Sequence, residues 1–188
     1  MKFIETKLPG AYLVEIAPIN DERGFFARSW SRPDFEKLGL NANLAQANVA
    51  WNVEKGTLRG MHFQAAPHAE TKLVRCTRGA VYDVIVDLRP NSPTHKHSFG
   101  AELTADNYKM LYIPEGFGHG YQTLTDGAEL TYFTTALYAP SAAGGVRYND
   151  PAFGIEWPLA VTRISEKDAQ WEDYSANAND AVKSFYYV

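Results

Sequence analysis

Gly56–Gly79, GTLRGMHFQAAPHAETKLVRCTRG, read together with Pro114–His119, PEGFGH, decides the architecture of this 188-residue chain. The positions of Gly56, His62, Gly79 and the Pro114, Gly116, His119 run follow the spacing of a metal-binding β-barrel. Gln64, however, stands where the second histidine of a His-x-His pair would sit, and Lys72 stands where a carboxylate would. Two imidazoles without that carboxylate make a poor divalent site, because selective binding needs three or more converging ligands and an open position. An ammonium in place of an anionic ligand suits a pocket that binds an anion, or an oxygen that gains negative charge.

The rest of the chain is dominated by strand signals. YLVEIAPI, KLVRCT, AVYDVIVDL, SFGAEL, KMLYIP, GYQTLT and AELTYFTT are short runs rich in β-branched and aromatic residues, separated by Gly, Pro, Asn and Asp. Turn chemistry predicts hairpins at Arg78-Gly79 and at Asp126-Gly127. Short strands at this spacing indicate a sandwich or barrel rather than alternating β and α units. A helix is expected from Arg32 to Leu38, with Ser31 as cap, Pro33 in the first turn and Gly39 as stop, and a second short one after Ser165. No repeat or linker divides the chain, so 1–188 reads as one domain, with the segment from about 160 packing on the barrel.

Such a chain can bury roughly 70% of the surface its unfolded form exposes, and it needs no covalent staple. The single cysteine, Cys76, cannot form an internal disulfide and reads as a packing residue in a reducing compartment. MKFIETKLPG lacks the apolar run of a signal peptide, and nothing approaches the roughly 20 apolar residues of a membrane span. A cytoplasmic protein with no membrane partner is the expectation. A net charge of −4 argues against general nucleic-acid binding but leaves room for a local basic phosphate pocket.

Regular alternation would put Leu58, Gly60 and His62 on one face and Arg59, Met61 and Phe63 on the other. Arg59 and His62 can face one pocket only if Gly60 marks a bulge or bend. Gathering Arg59, Lys72, His62 and His119 in one barrel would be costly without an anionic ligand or carboxylate partners. Tyr132 could be an amphipathic core residue, Asp168 a helix decoration, and Arg23, Phe25 and Phe26 a turn and packed edge. His95 and His97 lack a third ligand at suitable spacing and read as a solvated edge.

Across nearly its whole length the chain resembles the dTDP-4-dehydrorhamnose 3,5-epimerase family, a metal-free branch of the cupins. The resemblance is carried by DERGFF, LRGMHFQ, KLVRCTRGAVYDVIVDLRPNSPT, YIPEGFGHG, TYFTTALYAP, GVRYNDPAFGIEWP and ISEKD. It implies an all-β, cupin-type jelly-roll barrel with a few short helices. The catalytic pair falls on His62 and Tyr132, a supporting aspartate on Asp168, and the lysine and arginine near sugar and diphosphate on Lys72 and Arg59. His119, Arg23 and Tyr138 match further substrate contacts, and Gln46, Asn48 and Phe26 are retained.

The implied reaction is cofactor-independent epimerisation at carbons 3 and 5 of a nucleotide-diphosphate-linked 4-keto-6-deoxyhexose, in deoxysugar or surface-polysaccharide synthesis. The 4-keto group acidifies both hydrogens. His62, held by Asp168, removes one; Tyr132 reprotonates from the opposite face; Lys72 stabilises the carbon-4 oxygen. No metal or redox cofactor is implied. A homodimer exchanging N-terminal strands, with Arg23 and Phe26 completing the neighbour's site, is expected, and the aromatic tail Phe185-Tyr186-Tyr187 is expected to dock on the barrel or partner. Arg28 and Ala143 stand where glutamates are frequent, the serine usual after Asn48 is missing, and Phe133 replaces a frequent lysine. These departures lie in regions associated with nucleotide and phosphate contacts. Thymidine is therefore the default base, with cytidine, guanosine and uridine open. Competing readings are epimerisation at one carbon only, a non-catalytic sugar-nucleotide binding module, and a metal-dependent oxygenase, the last opposed by Gln64 and Lys72.

Overall fold

A computed structural model describes residues 1–174. In chain order its strands are β1 (Lys2–Glu5), β2 (Tyr12–Glu15), β3 (Ile19–Asp21), β4 (Gly24–Phe26), β5 (Gln46–Asn52), β6 (Leu58–Gln64) and β7 (Lys72–Arg78). There follow β8 (Ala80–Asp87), β9 (Ser98–Thr104), β10 (Met110–Ile113), β11 (Phe117–Thr123), β12 (Ala128–Thr134) and β13 (Ala143–Gly145). Helices α1 (Arg32–Glu36) and α2 (Glu166–Ala169) are one turn each.

A six-stranded sheet, ordered β1-β2-β10-β7-β12-β5, faces a five-stranded sheet, β13-β6-β11-β8-β9, and β3-β4 forms a separate ribbon. Their inner faces share one core: Val74, Cys76, Leu111 and Leu130 from the first sheet meet Val81, Ile85, Leu103 and Phe117 from the second. The result is an all-β jelly-roll sandwich, as the sequence predicts. Burial pushes the Cys76 thiol up to about 11, which fits a packing residue.

Neither predicted hairpin forms. Gly79 and Gly127 both have positive φ, +71° and +59°, but each turns the chain from one sheet into the other. β7 pairs with β10 and β12, whereas β8 pairs with β11 and β9. The turn chemistry of a hairpin and of an inter-sheet corner is the same. Here the corner wins because it lets the apolar faces of β7 and β8 meet across the core, which pairing within one sheet would not.

Six strands lie outside the predicted runs: β1, β3, β4, β5, β13 and β6, the last expected instead from the alternation of Leu58 to Phe63. β5, QANVAWN, is an edge strand paired with β12, with Val49 and Trp51 exposed on its outer side. Helix α1 forms where expected and stops before Gly39, at φ +69°, but the Ser31 side chain makes no capping bond. Its carbonyl accepts from the Asp34 and Phe35 N–H instead, and buried Phe35 packs the helix on the outer face of the six-stranded sheet. In α2 the Ser165 hydroxyl does cap, accepting from Asp168 N–H. His97 is exposed, but His95 is not the solvated edge expected: its ring packs on Tyr174, with centroids 5.7 Å apart. Residues 159–163 run back along β6 and β11: Leu58 N–H donates to Arg163 O, and the Gln122 amide exchanges two hydrogen bonds with Leu159. The aromatic tail lies outside the described residues.

Candidate active site

The site begins with an irregularity in β6. His62 pairs with His119 and Arg59 with Tyr121, so three steps along β6 match two along β11. The extra residue lies in the Gly60-Met61 pair, a β-bulge that brings Arg59 and His62 to the same face while Met61 turns into the cluster of Val84, Val86 and Leu88. Gly60 is required there. Its φ is +126°, and a Cβ would lie 2.5 Å from Gly120 Cα and 2.9 Å from His119 O.

Two imidazole–carboxylate pairs flank this bulge. His62 Nε2 lies 2.7 Å from Asp168 Oδ1, while the other carboxylate oxygen accepts from Gly60 N–H at 3.2 Å. Burial alone would raise the Asp168 carboxyl, but the hydrogen bond and charge of His62, with help from the Gly60 and Ser165 donors, hold it below the usual range. His119 Nε2 lies 2.8 Å from Oδ1 of Asp83, which is fully buried on β8.

Across the barrel, Tyr132 projects from β12. Burial, and then the negative charge of Glu70, push its phenol up, opposed by Arg59, so at neutral pH it is a proton donor. Lys72 Nζ is 2.5 Å from Glu70 Oε1, with the two side chains 10% and 12% exposed. Arg59 is aimed by Asn52 and by the Trp51 carbonyl. Asn52 also accepts from Tyr121, whose hydroxyl burial raises to about 12.

These groups line two adjoining cavities, of about 440 and 190 Å³, both bordered by His62, Lys72 and Tyr132. Gln46, Asn48 and Tyr138 line the larger one, and Arg59 and His119 the inner one. A third hollow, about 530 Å³, opens on the other side of His62 and is bordered by Arg59, Arg163, Lys167 and Asp168. His62 and Tyr132 thus face a shared space, with an ammonium at its wall.

Gln64 is fully engaged. Its amide donates to the His68 and Leu137 carbonyls and its oxygen accepts from Ala139 N–H, which holds the Tyr138 loop at the cavity rim. With that oxygen bonded and the Lys72 ammonium beside it, the donor set does not fit a divalent cation.

Arg23 and Phe26 are not brought to the cavity within this chain. They lie on the exposed β3-β4 ribbon, where Arg23 pairs with Asp21. Arg28 is likewise exposed, Ala143 does border the larger cavity, and Phe133 faces away, packing with Leu73 and Tyr112 outside the sheet. The position of Phe133 therefore does not belong with the nucleotide contacts. Sequence reasoning missed Glu70, Asp83, Asn52 and Lys167. The need for carboxylate partners among so many cations pointed to Glu70 and Asp83 in kind, but not in position.

A family model described as dTDP-4-dehydrorhamnose 3,5-epimerase matches residues 5–176. The chain is 44% identical over 171 residues to a dTDP-4-dehydrorhamnose 3,5-epimerase of Salmonella typhimurium, covering 90% of this chain and 93% of that protein. The crystal structure of the dTDP-4-dehydrorhamnose 3,5-epimerase from Elizabethkingia anophelis superposes with a TM-score of 0.90 at 38% identity, covering 93% and 96% of the two chains. A Legionella pneumophila epimerase in complex with dTDP-4-keto-L-rhamnose gives 0.86 at 34% identity, covering 94% and 95%.

Proposed function

The chain belongs to the dTDP-4-dehydrorhamnose 3,5-epimerase family, an isomerase family, and from that premise we propose how its own residues carry out 3,5-epimerisation of a nucleotide-diphosphate 4-keto-6-deoxyhexose. The observation that carries this reading is the shared cavity of His62 and Tyr132, with Asp168 bonded to the imidazole and Lys72 beside the phenol. His62 Nδ1 has no hydrogen-bond partner among the described residues and takes the hydrogen from carbon 3 or 5 as a proton. The electron pair moves onto the carbon-4 oxygen as an enolate, facing the Lys72 ammonium. Tyr132 returns a proton from the opposite face, which inverts the centre. The resulting imidazolium and phenolate regain neutrality by exchange with water, and Asp168 stabilises the imidazolium while it lasts. His119, held by Asp83, supports the sugar from the inner cavity.

Arg59 and Lys167 supply positive charge for the diphosphate, and Gln46, Asn48 and Tyr138 border the space left for the nucleoside. Thymidine is the base named for the relatives and is taken as the base here. A homodimer completes the site: Ile19 and Phe26 on the β3-β4 ribbon are 69% and 66% exposed, Val49 and Trp51 on the β5 edge are 66% and 45% exposed, and these apolar surfaces suit each other's burial. Exchange of the ribbon would deliver Arg23 and Phe26 to the partner's nucleotide. Among the described residues no helix is long and apolar enough to cross a membrane, and a free Cys76 and a nucleotide-sugar substrate support action in the cytoplasm.

Incubation with the 4-keto sugar nucleotide in heavy water tests the reading. Deuterium entering at both carbons supports it, entry at one carbon assigns a single-centre epimerase, and no entry at either carbon rejects proton-transfer catalysis. Calorimetric titration against the four nucleoside diphosphates identifies the base.

A further inference from the structure

The proposed chemistry leaves one charged residue of the two cavities without a task. Glu70 precedes β7, borders the larger cavity with Tyr132, and holds Lys72 at 2.5 Å in surroundings where both side chains are nearly closed to solvent. Taking an ammonium and a carboxylate out of water together is rarely a net gain in stability over an apolar pair of similar volume. A contribution to the fold therefore does not account for this pair, whereas its place beside the reacting groups does. A lone lysine on a flexible four-carbon arm would also sample many positions, and only an anchored one stands ready where charge develops.

We propose that Glu70 is a positioning residue: it pins the Lys72 ammonium at the point where the carbon-4 oxygen becomes anionic, on the cavity wall it shares with Tyr132. The inference rests on the reading of His62 as base and Tyr132 as acid. The charged and titratable groups that share the two cavities with Tyr132 are Glu70 and Lys72 beside and on β7, Arg59 and His62 on β6, His119 and Tyr121 on β11, Tyr138 from the rim loop and Lys167 on α2. After burial, Glu70 is the largest influence on the phenol and Arg59 opposes it. Tyr132 is active in its protonated form, so activity falls as pH rises through the phenol's titration. Removing the neighbouring negative charge brings that fall to lower pH.

The test compares Glu70→Gln and Glu70→Asp with the wild-type enzyme by the pH dependence of kcat and kcat/KM, with calorimetric binding of dTDP as a check that each variant is folded. For Glu70→Gln the expected result is a loss of about 10- to 100-fold in kcat, the scale of a misplaced catalytic group, a basic limb displaced to lower pH, and dTDP affinity close to wild type. Glu70→Asp keeps the charge on a shorter arm, so it restores the basic limb and recovers part of kcat. In a Lys72→Met background, Glu70→Gln costs much less kcat than it does alone, because the ammonium it anchors is gone.

Wild-type kcat and an unmoved basic limb in Glu70→Gln would overturn the inference, as would a loss of kcat uniform across pH that Glu70→Asp fails to relieve. Should Glu70→Gln not fold, Glu70→Asp carries the test: lowered kcat with an unmoved limb supports positioning, and wild-type kcat overturns it. Exchange that depends on His62 but not on Glu70 removes this inference and leaves the proposed reaction standing. Absence of exchange by the wild-type enzyme removes both.

Discussion

His62–Asp168 and His119–Asp83 are the same chemical pair at nearly the same distance, 2.7 and 2.8 Å, on imidazoles that face each other across neighbouring strands. Their surroundings differ. The His62 side chain is 45% exposed and that of His119 only 11%. Asp168 reaches His62 from a one-turn helix 106 residues away, while Asp83 sits on β8, the strand directly beside β11. A histidine with an open flank and a carboxylate held at its back can exchange protons with a ligand and then with water. One enclosed by its own sheet serves better as a fixed donor and a satisfied core group. Exposure and the origin of the carboxylate separate the two roles.

The contrast is sharpest in activity. His62→Asn is expected to lower kcat by at least about 10²-fold, on the order of 3 kcal/mol of barrier, with a smaller fall in melting temperature than His119→Asn. Single-turnover kinetics beside thermal unfolding would check both halves, and retained exchange in this variant would erase the distinction between the histidines. The mirror experiment, His119→Asn, is expected to show the opposite balance. It leaves the fully buried Asp83 carboxylate without its imidazole, and its second oxygen already lacks a hydrogen-bond partner among the described residues. Stability should fall by about 1–3 kcal/mol in denaturant unfolding, with a smaller loss of kcat than for His62→Asn.

The smallest effect is a pH dependence. The folded Asp168 carboxyl lies below its ordinary value of 3.8, so its contribution to stability is present above 3.8 and is lost as pH falls through the lower, folded value. Asp168→Asn lacks that contribution. The gap in melting temperature between wild type and variant should therefore be widest near neutrality and close below pH 3.8. A constant gap would mean that hydrogen bonding alone, not charge, ties α2 to β6.

Much of the barrel could be read from β-branched and aromatic runs between turn residues, which mark β7 to β12 even though β10 and β11 are buried throughout and show no alternation. β5 escaped because its inward positions carry Gln46 and Asn48, which face a cavity rather than a core, and Asn52, a buried polar group held by Arg59 and Tyr121. The Gly60 bulge was legible as a condition, since Arg59 and His62 cannot share a face without it. Arg23 and Phe26 are different: their chemistry resembles a nucleotide contact, yet within one chain they point to solvent.

Residue types and spacing settled the all-β class and the exchange of metal-ligating positions for Gln64 and Lys72, while the base, acid and supporting aspartate were named only through the family resemblance. Folding settled which glycine turns are corners between sheets, which carboxylate serves which histidine, and that Glu70 sits against Lys72. The physical reason is range. Propensity and periodicity are properties of a few neighbouring residues, whereas sheet membership and charge pairing depend on burying surfaces from strands dozens of residues apart, and no local signal encodes that choice.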